Sequence, residues 1–257
     1  MITLQRLNMD NSLFLQIGGL RLLIDPWLHG AEIDYFPWFN KQWHRTKPLD
    51  YSKIPEFDAV LITQKYPDHF HLETLQKLQP KLVFAPSSIE SKLRATLPDA
   101  EVRTLNRFSD LIEQSGVQIR FLPTSRNIDP IYDAFILDDG NVSVFLATHG
   151  FNPTDAQKTV IASHSSYSLL VTPFNKYELP FFLGGTVAPG MDSVRQLVQL
   201  LKPKKVVATH DEDKHAEGIV SKFASITWAP KTEELISMDW LRGRYLEIEH
   251  YKKIELT

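Results

Sequence analysis

Apolar residues occur along the chain in two patterns, and each pattern predicts a different element. Short, almost continuously apolar runs are typical of strands buried on both faces, and they cover 58–63, 81–86, 167–173 and 204–209. Further strands are expected over 117–123 and 142–147. The runs 12–17 and 20–25 flank Gly18-Gly19 and predict a hairpin, because glycine tolerates the positive φ of a tight turn.

Helices are predicted where leucines recur at helical spacing. We expect one helix over 71–78, ended by Pro80, and an amphipathic helix over 191–203. The segment 87–97 predicts a third helix, capped by Ser87 or Ser88. Strand–helix–strand units mixed with hairpins indicate an α/β protein with two sheets and outer helices. No linker interrupts the pattern, so residues 1–257 are expected to form a single domain.

Aromatic residues are concentrated in two segments that lie outside these elements. The segment 34–45, DYFPWFNKQWHR, is too polar and too interrupted by proline to predict a core element, and 174–190 has a similar composition. Each could close over a pocket as a substrate-selecting wall. The alternative for 34–45 is a hydrophobic plug under a long loop. The alternative for 174–190 is an aromatic interface, which would favour a homo-oligomer such as a dimer.

Composition and charge narrow the classes of function. With 43% hydrophobic and 23% charged residues, the 257-residue chain is expected to fold rather than to be disordered. The net charge of −3 and the lack of a basic stripe argue against nucleic acid as a partner. No apolar run is long enough to cross a membrane, and the N-terminal residues do not have the pattern of a signal peptide. A cytoplasmic protein with a small-molecule substrate or ligand is therefore expected.

Several potential metal ligands follow directly after apolar strands. Asp68, His69 and His71 come after the strand 58–63, His149 after the strand 142–147, and His210 after the strand 204–209. In α/β sheets, ligands bind where the carboxyl ends of strands meet. Because the chain has no cysteine, a metal could be held only by imidazole, carboxylate or backbone oxygen. A single histidine is more often a structural group, but the shared position of these favours a site.

The order of these motifs resembles the metallo-β-lactamase fold. The hairpin, the sequence LLIDPW, a buried strand ending in T-x-x-x-P-D-H and a late strand ending in VVATHD follow one another over nearly the whole chain. The resemblance is greatest to the branch of ascorbate-6-phosphate lactonase-like hydrolases. It implies a four-layer αββα sandwich, in which two mixed sheets pack face to face between outer helices.

The metal-binding motif of that family is only half retained. The family loop His-x-His-x-Asp-His falls on Gln64, Tyr66, Asp68 and His69. The resemblance places one further ligand position near Ser125.

Two further ligand positions of the family fall later in the chain. The bridging position falls at about Thr148, beside His149, and the last position is His210. One of the two family metal sites therefore loses its imidazoles, whereas the other retains Asp68, His69 and His210.

The retained set implies a mononuclear metal-dependent hydrolase acting on an ester, lactone or phosphoester. One divalent ion, zinc, manganese or iron, would be held by Asp68, His69 and His210, with His149 as a fourth ligand. Asp68 would then take part in catalysis, and Tyr66 would donate a hydrogen bond to a developing oxyanion. Gln64, Ser125 and Thr148 fall at or beside ligand positions of the family, and the resemblance implies that they bind the substrate.

Two other interpretations of the same residues stay open. In the first, the protein binds no metal, and Gln64, Tyr66 and Thr148 bind a small polar ligand. In the second, Asp68 caps the helix that begins near His71, and the role of the region is structural. Asp25 in LLIDPW could orient His69 or His210 from behind, or could cap the turn that follows it.

Overall fold

The structure is a computed structural model that describes residues 1–124, 132–164, 166–212, 214–249 and 251–256. The predicted substrate-binding residue Ser125 lies outside these ranges. The first eight strands are β1 (Ile2–Arg6), β2 (Leu13–Ile17), β3 (Leu20–Ile24), β4 (Ala31–Asp34), β5 (Asn40–Trp43), β6 (Ala59–Leu61), β7 (Leu82–Pro86) and β8 (Glu101–Leu105).

Among the described residues, eleven more strands follow in the chain. They are β9 (Leu111–Gln114), β10 (Val117–Leu122), β11 (Ala134–Asp138), β12 (Ser143–Leu146), β13 (Leu169–Pro173), β14 (Lys176–Glu178), β15 (Thr186–Pro189), β16 (Lys205–Thr209), β17 (His215–Glu217), β18 (Ser225–Thr227) and β19 (Ile254–Leu256). The α-helices are α1 (Leu72–Leu78), α2 (Glu90–Thr96), α3 (Asp155–Ala162), α4 (Met191–Leu201), α5 (Ile219–Phe223) and α6 (Thr232–Ser237).

Two large mixed sheets form the centre of the fold. The first has the strand order β19-β1-β2-β3-β6-β7-β8, and the second has the order β16-β13-β12-β11-β10-β9. β3, β6, β7 and β8 are parallel neighbours in the first sheet, and β12, β13 and β16 are parallel in the second. The apolar runs 58–63, 81–86, 167–173 and 204–209, which predicted doubly buried strands, form β6, β7, β13 and β16, and each of these is parallel to a neighbour.

Three apolar layers separate the sheets and helices. The central layer joins the facing sides of the two sheets and contains Leu61, Phe84, Phe135 and Leu137. A second layer packs α1 and α2 against the outer face of the first sheet. A third packs α3 and α4 against the outer face of the second sheet. The predicted four-layer sandwich of two mixed sheets with outer helices is therefore confirmed.

Two local predictions differ from the structure. The segment 34–45 was expected to be irregular, but β4 and β5 form an antiparallel hairpin that pairs with β17. The helix predicted over 87–97 begins as a 3-10 turn at Ser87–Ile89, and neither serine caps α2 with its side chain. At the edge of the first sheet, β19 pairs with β1.

Replacing Leu137 by alanine is expected to lower the free energy of unfolding by about 2–5 kcal/mol, because it opens a cavity between the two sheets. Leu137 is fully buried in β11. Leu111→Ala in the same sheet is the matched control: Leu111 is 43% exposed, so the change is expected to cost less than about 1 kcal/mol. Urea unfolding of both variants checks this, and equal losses would contradict the central position of Leu137.

Among the described residues, the helices are all too short or too polar to cross a membrane.

Candidate metal centre

Four potential metal ligands from three separate segments meet at one edge of the sandwich. Asp68 and His69 lie in the loop after β6, His149 follows β12, and His210 follows β16. One ligand atom from each of these residues lies within 4.8 Å of the others. The cluster lies at the carboxyl ends of parallel strands from both sheets, as expected for an α/β site.

The donor atoms converge on a small volume. The Nε2 atoms of His69 and His149 lie 2.8 Å apart. The Asp68 Oδ2 atom lies 3.5 Å from His69 Nε2 and 3.7 Å from His210 Nε2. The centroids of the three imidazole rings lie 4.8–5.6 Å apart, and one nitrogen of each ring lies within 4.8 Å of the others.

The backbone at His210 is held in an unusual conformation. His210 has a φ of 56°, a left-handed value that costs a residue other than glycine about 1–3 kcal/mol. Its N–H donates to the Asp10 carbonyl at 2.8 Å, and its carbonyl accepts from the Asn175 amide at 2.7 Å. These two hydrogen bonds fix the direction in which the ring leaves the end of β16.

A glycine allows the close packing that follows His149. Gly150 has a φ of 86°, and a Cβ there would lie 2.9 Å from the Ser193 hydroxyl and 3.0 Å from Pro189. Only glycine fits this conformation and this space without strain. The loop therefore turns directly against the start of α4 and leaves the His149 ring, which is 5% exposed, facing His69.

Asp25 orients His69 from behind. The Asp25 carboxylate is fully buried and lies 2.7 Å from His69 Nδ1. It also accepts the Thr63 N–H at 2.7 Å and the Thr63 hydroxyl at 2.5 Å. Because a carboxylate only accepts, Nδ1 carries a proton and Nε2 is the ring nitrogen directed into the cluster. Of the two partners predicted for Asp25, His69 and His210, the Asp25 carboxylate contacts His69.

Opposing effects set the charges in the cluster. Burial opposes the ionisation of both Asp68 and His69, but the two groups favour each other's charged form. The neighbouring His69 and His210 hold the pKa of Asp68 well below its usual range. The Asp68 and Asp25 carboxylates raise the pKa of His69 above its ordinary value. Burial, together with the nearby His69 and His210, holds the pKa of His149 well below its ordinary value, which leaves this ring neutral.

A buried ionic cluster next to the centre was not predicted. The Lys214 ammonium lies 3.2 Å from the Asp10 carboxylate and 3.6 Å from the Glu32 carboxylate, and both carboxylates are almost completely buried. Burial raises the pKa of Tyr177 to about 12; the nearby Lys214 opposes this rise, whereas Glu32 and Asp68 add to it. Sequence reasoning missed this cluster because Asp10 and Lys214 are separated by almost the whole chain, so no local pattern links them.

Other predicted site residues make internal contacts. The Gln64 amide donates to the Asp133 carbonyl at 3.2 Å, and the Thr148 hydroxyl lies 3.0 Å from the Thr63 hydroxyl. Tyr66 is half-buried, and its carbonyl accepts the N–H groups of His69 and Phe70. The roles of Gln64, Tyr66 and Thr148 in catalysis or substrate binding remain predictions.

His71 does not belong to the cluster. Its Nδ1 atom accepts the Thr74 N–H and caps α1, and its Nε2 atom lies 3.3 Å from the Ala31 carbonyl. The cap predicted for Asp68 is therefore supplied by His71, which leaves the Asp68 carboxylate directed at the histidines.

His149 makes the stability of the metal-free protein dependent on pH between about 5 and 6.5. The native state keeps this ring neutral, whereas the unfolded chain takes up a proton below about pH 6.5. Stability is therefore lost as the pH falls, by up to about 1.4 kcal/mol per pH unit. His69 does not change the stability in this window. Its raised pKa in the folded protein stabilises the protein fully at any pH below its pKa in the unfolded chain, and this stabilisation is lost only as the pH rises through the folded pKa.

Urea unfolding in the presence of a chelator, at several pH values from 5 to 6.5, measures this slope. His149→Gln is expected to flatten it, and His164→Gln, outside the cluster, is the matched control. A slope that His149→Gln does not change would contradict the neutral state of this ring.

Comparison with known proteins decides the family. Residues 8–210 match the family model described as a β-lactamase superfamily domain. The chain belongs to this superfamily. A search of the curated proteins finds no match.

Solved structures share the fold at low sequence identity. The isothiocyanate hydrolase from Delia radicum gut bacteria has a TM-score of 0.70 and 17% identity, with 100% of both chains covered. A possible metal-dependent hydrolase from Veillonella parvula has a TM-score of 0.69 and 15% identity, with 99% of each chain covered. CmlA, a diiron β-hydroxylase from Streptomyces venezuelae, has a TM-score of 0.69 and 16% identity, covering 99% of this chain and 54% of that one.

Identities this low establish the fold but not the reaction. The superfamily is therefore shown, whereas the lactonase-like branch remains a prediction.

Proposed function

We propose that this protein is a mononuclear metal-dependent hydrolase acting on a small ester, lactone or phosphoester. Asp68, His69, His149 and His210 would hold the ion. The observation that carries the proposal is the convergence of their ligand atoms within 4.8 Å at the carboxyl ends of the strands. Two structural neighbours described as hydrolases support the reaction class.

The donor set fits one divalent ion. Ligand atoms bound at about 2.0–2.2 Å to a tetrahedral ion lie about 3.3 Å from one another. Three of the separations, 2.8, 3.5 and 3.7 Å, bracket this value, and the others are at most 4.8 Å. Three imidazoles and one carboxylate suit zinc, manganese or iron.

Buried nitrogen atoms without partners support the same assignment. Among the described residues, His210 Nε2 has no hydrogen-bond partner although it is buried. An unpaired buried polar atom costs free energy and calls for a physical reason. A cation at this point would accept the Nε2 lone pair of His210 together with that of His69.

The residues at the second family metal position favour a mononuclear centre. Gln64 and Tyr66 offer an amide and a phenol in place of imidazoles, and the Gln64 amide already donates to a carbonyl. Neither group is a strong ligand for a divalent transition metal.

When bound, the ion would polarise a carbonyl or phosphoryl oxygen and lower the pKa of a water molecule. The protein residues have separate tasks. Asp25 holds the His69 tautomer, and Asn175 and Asp10 hold the His210 backbone. Asp68 stays ionised over the whole neutral range because of its lowered pKa. We propose Tyr66 as the hydrogen-bond donor to the developing oxyanion, with Gln64, Ser125 and Thr148 as substrate-binding residues.

Metal content tests the first part of this proposal. Protein purified without a histidine tag is expected to contain about one equivalent of a transition metal, or to take one up from added zinc, manganese or iron(II). Less than about a tenth of an equivalent under every loading condition would reject the metal site.

Activity tests the second part. Hydrolysis of p-nitrophenyl acetate, a γ-lactone and bis-p-nitrophenyl phosphate is measured with the loaded protein, after chelation and after reloading. Activity on one class that disappears on chelation and returns on reloading supports the proposal. A loaded protein that hydrolyses none of the three would keep the metal site but reject these substrate classes.

A further inference from the structure

Six exposed aromatic side chains lie outside the set of proposed metal ligands. These side chains come from the β4–β5 turn, the turn after β14 and the helix α5. They are Tyr35, Phe36, Trp38, Phe181, Phe182 and Phe223, which are between 52% and 96% exposed. We refer to these six residues as the aromatic surface.

The three segments form one continuous surface. In the β4–β5 turn, the rings of Phe36 and Trp38 stack with centroids 5.6 Å apart. The Trp38 carbonyl accepts the N–H of Ile219 at 3.0 Å, which places α5 beside this turn. One turn further along α5, the Phe223 ring meets the Phe182 ring edge-on at 6.4 Å.

The surface is built into the fold rather than carried on loose loops. Gly218, at the start of α5, has a φ of 107°, and a Cβ there would lie 2.6 Å from the Phe39 carbonyl oxygen. Only glycine permits so close an approach. The Phe39 carbonyl also accepts the N–H of Val220 at 2.9 Å. Because α5 is fixed to the β4–β5 turn in this way, little conformational entropy would be lost on association.

The exposed area exceeds what a monomer normally leaves in water. At about 150–250 Å² for each fully buried aromatic side chain, the exposed fractions of these six residues amount to roughly 600–1,000 Å². The largest apolar patch on a typical monomer is about 300–600 Å². A specific interface buries about 800 Å² on each partner, and aromatic residues are enriched in it.

We propose that a second copy of this chain covers the aromatic surface and that the protein is a homodimer. A two-fold axis would bring the same aromatic surface of both copies together, which is the commonest arrangement in soluble oligomers.

The charges around the surface fit a copy of itself better than a membrane. Charged residues of both signs lie in or beside these segments: Lys41, Asp34, Lys222 and Glu217, together with Lys176 and Glu178, which pair with each other at 2.8 Å. Mixed signs allow complementary pairing across a two-fold axis. Binding to an anionic membrane would instead need a cluster of basic residues.

Sedimentation velocity and light scattering of the full chain test the proposal. The wild-type protein is expected to have twice the monomer mass of 29.5 kDa at micromolar concentration, with or without chelator. The double variant Phe181→Ser/Phe182→Ser is expected to weaken the dimer by about a hundredfold or more, because central aromatic residues dominate interface energies. Both phenylalanines are at least 75% exposed, so the melting temperature of the monomer is expected to stay unchanged.

Ile236→Ser is the matched control, since Ile236 is 49% exposed in α6, outside the aromatic surface. A wild-type protein that stays monomeric at high concentration would overturn the proposal. A dimer that the double variant does not weaken, or that Ile236→Ser weakens equally, would overturn it too. A monomer that co-sediments with phosphatidylcholine vesicles would assign the surface to a membrane instead. Because the test needs neither metal nor substrate, its failure would leave the proposed hydrolase function untouched.

Discussion

Replacing His210 by alanine is expected to lower the affinity for zinc or manganese by more than about a hundredfold. Removing a group that only orients a ligand costs about 10–100-fold in metal affinity. His210 is itself a proposed ligand, and its Nε2 atom faces Asp68 at 3.7 Å. Its loss leaves three donors, and any hydrolytic activity is expected to be lost with the metal.

Competition with a chromophoric chelator measures this affinity directly. His215→Ala is the matched control, because His215 is exposed in β17 only five positions further along the chain. The control is expected to keep the wild-type affinity. A second readout is the rise in melting temperature on adding zinc, which follows from ligand binding to the native state alone. If His210→Ala binds zinc as tightly as the wild type, His210 is not a ligand.

Replacing Asp25 by alanine is expected to destabilise the protein by about 3–5 kcal/mol. The carboxylate is fully buried, and its removal leaves the Thr63 N–H and the His69 Nδ1–H without the acceptor they share. At about 2–4 °C per kcal/mol for a chain of this size, the melting temperature is expected to fall by roughly 10 °C. The metal-free protein is used for this measurement, so that the loss of the ion does not contribute.

Asp25→Asn separates the structural role of Asp25 from its effect on the metal. The asparagine oxygen can still accept the Thr63 N–H, but its amide donates to His69 Nδ1. The proton then moves to His69 Nε2, which can no longer bind a metal. We expect a smaller loss of stability than in Asp25→Ala but a loss of metal affinity of about 10–100-fold. An Asp25→Asn variant with wild-type metal affinity would contradict the orienting role of Asp25.

The main elements of the sandwich could be predicted from the sequence because their signals are local. The continuous apolar runs identify β6, β7, β13 and β16 among the parallel strands, since such strands are buried on both faces. Gly18-Gly19 marks the hairpin between β2 and β3, and leucine spacing marks α1 and α4. The segment 34–45 was misjudged, because the pairing of β5 with β17 depends on a strand some 170 positions away.

Part of the candidate site could also be predicted from the sequence. Asp68, His69, His149 and His210 each follow a buried strand, and strand exits are where sites form. Their convergence within 4.8 Å, the choice of His69 as the partner of Asp25, and the role of His71 as a helix cap are seen only in the structure.

By itself, the sequence determined the strands, the hairpin and the identity of the groups available to bind a metal, because these depend on neighbouring residues and on side-chain chemistry. Tertiary structure alone decided which of those groups meet, how Lys214 is buried between Asp10 and Glu32, and how three aromatic segments join into one surface. The physical reason is that these contacts join residues far apart in the chain. Their geometry is set by the packing of two sheets, and no local pattern of residues predicts it.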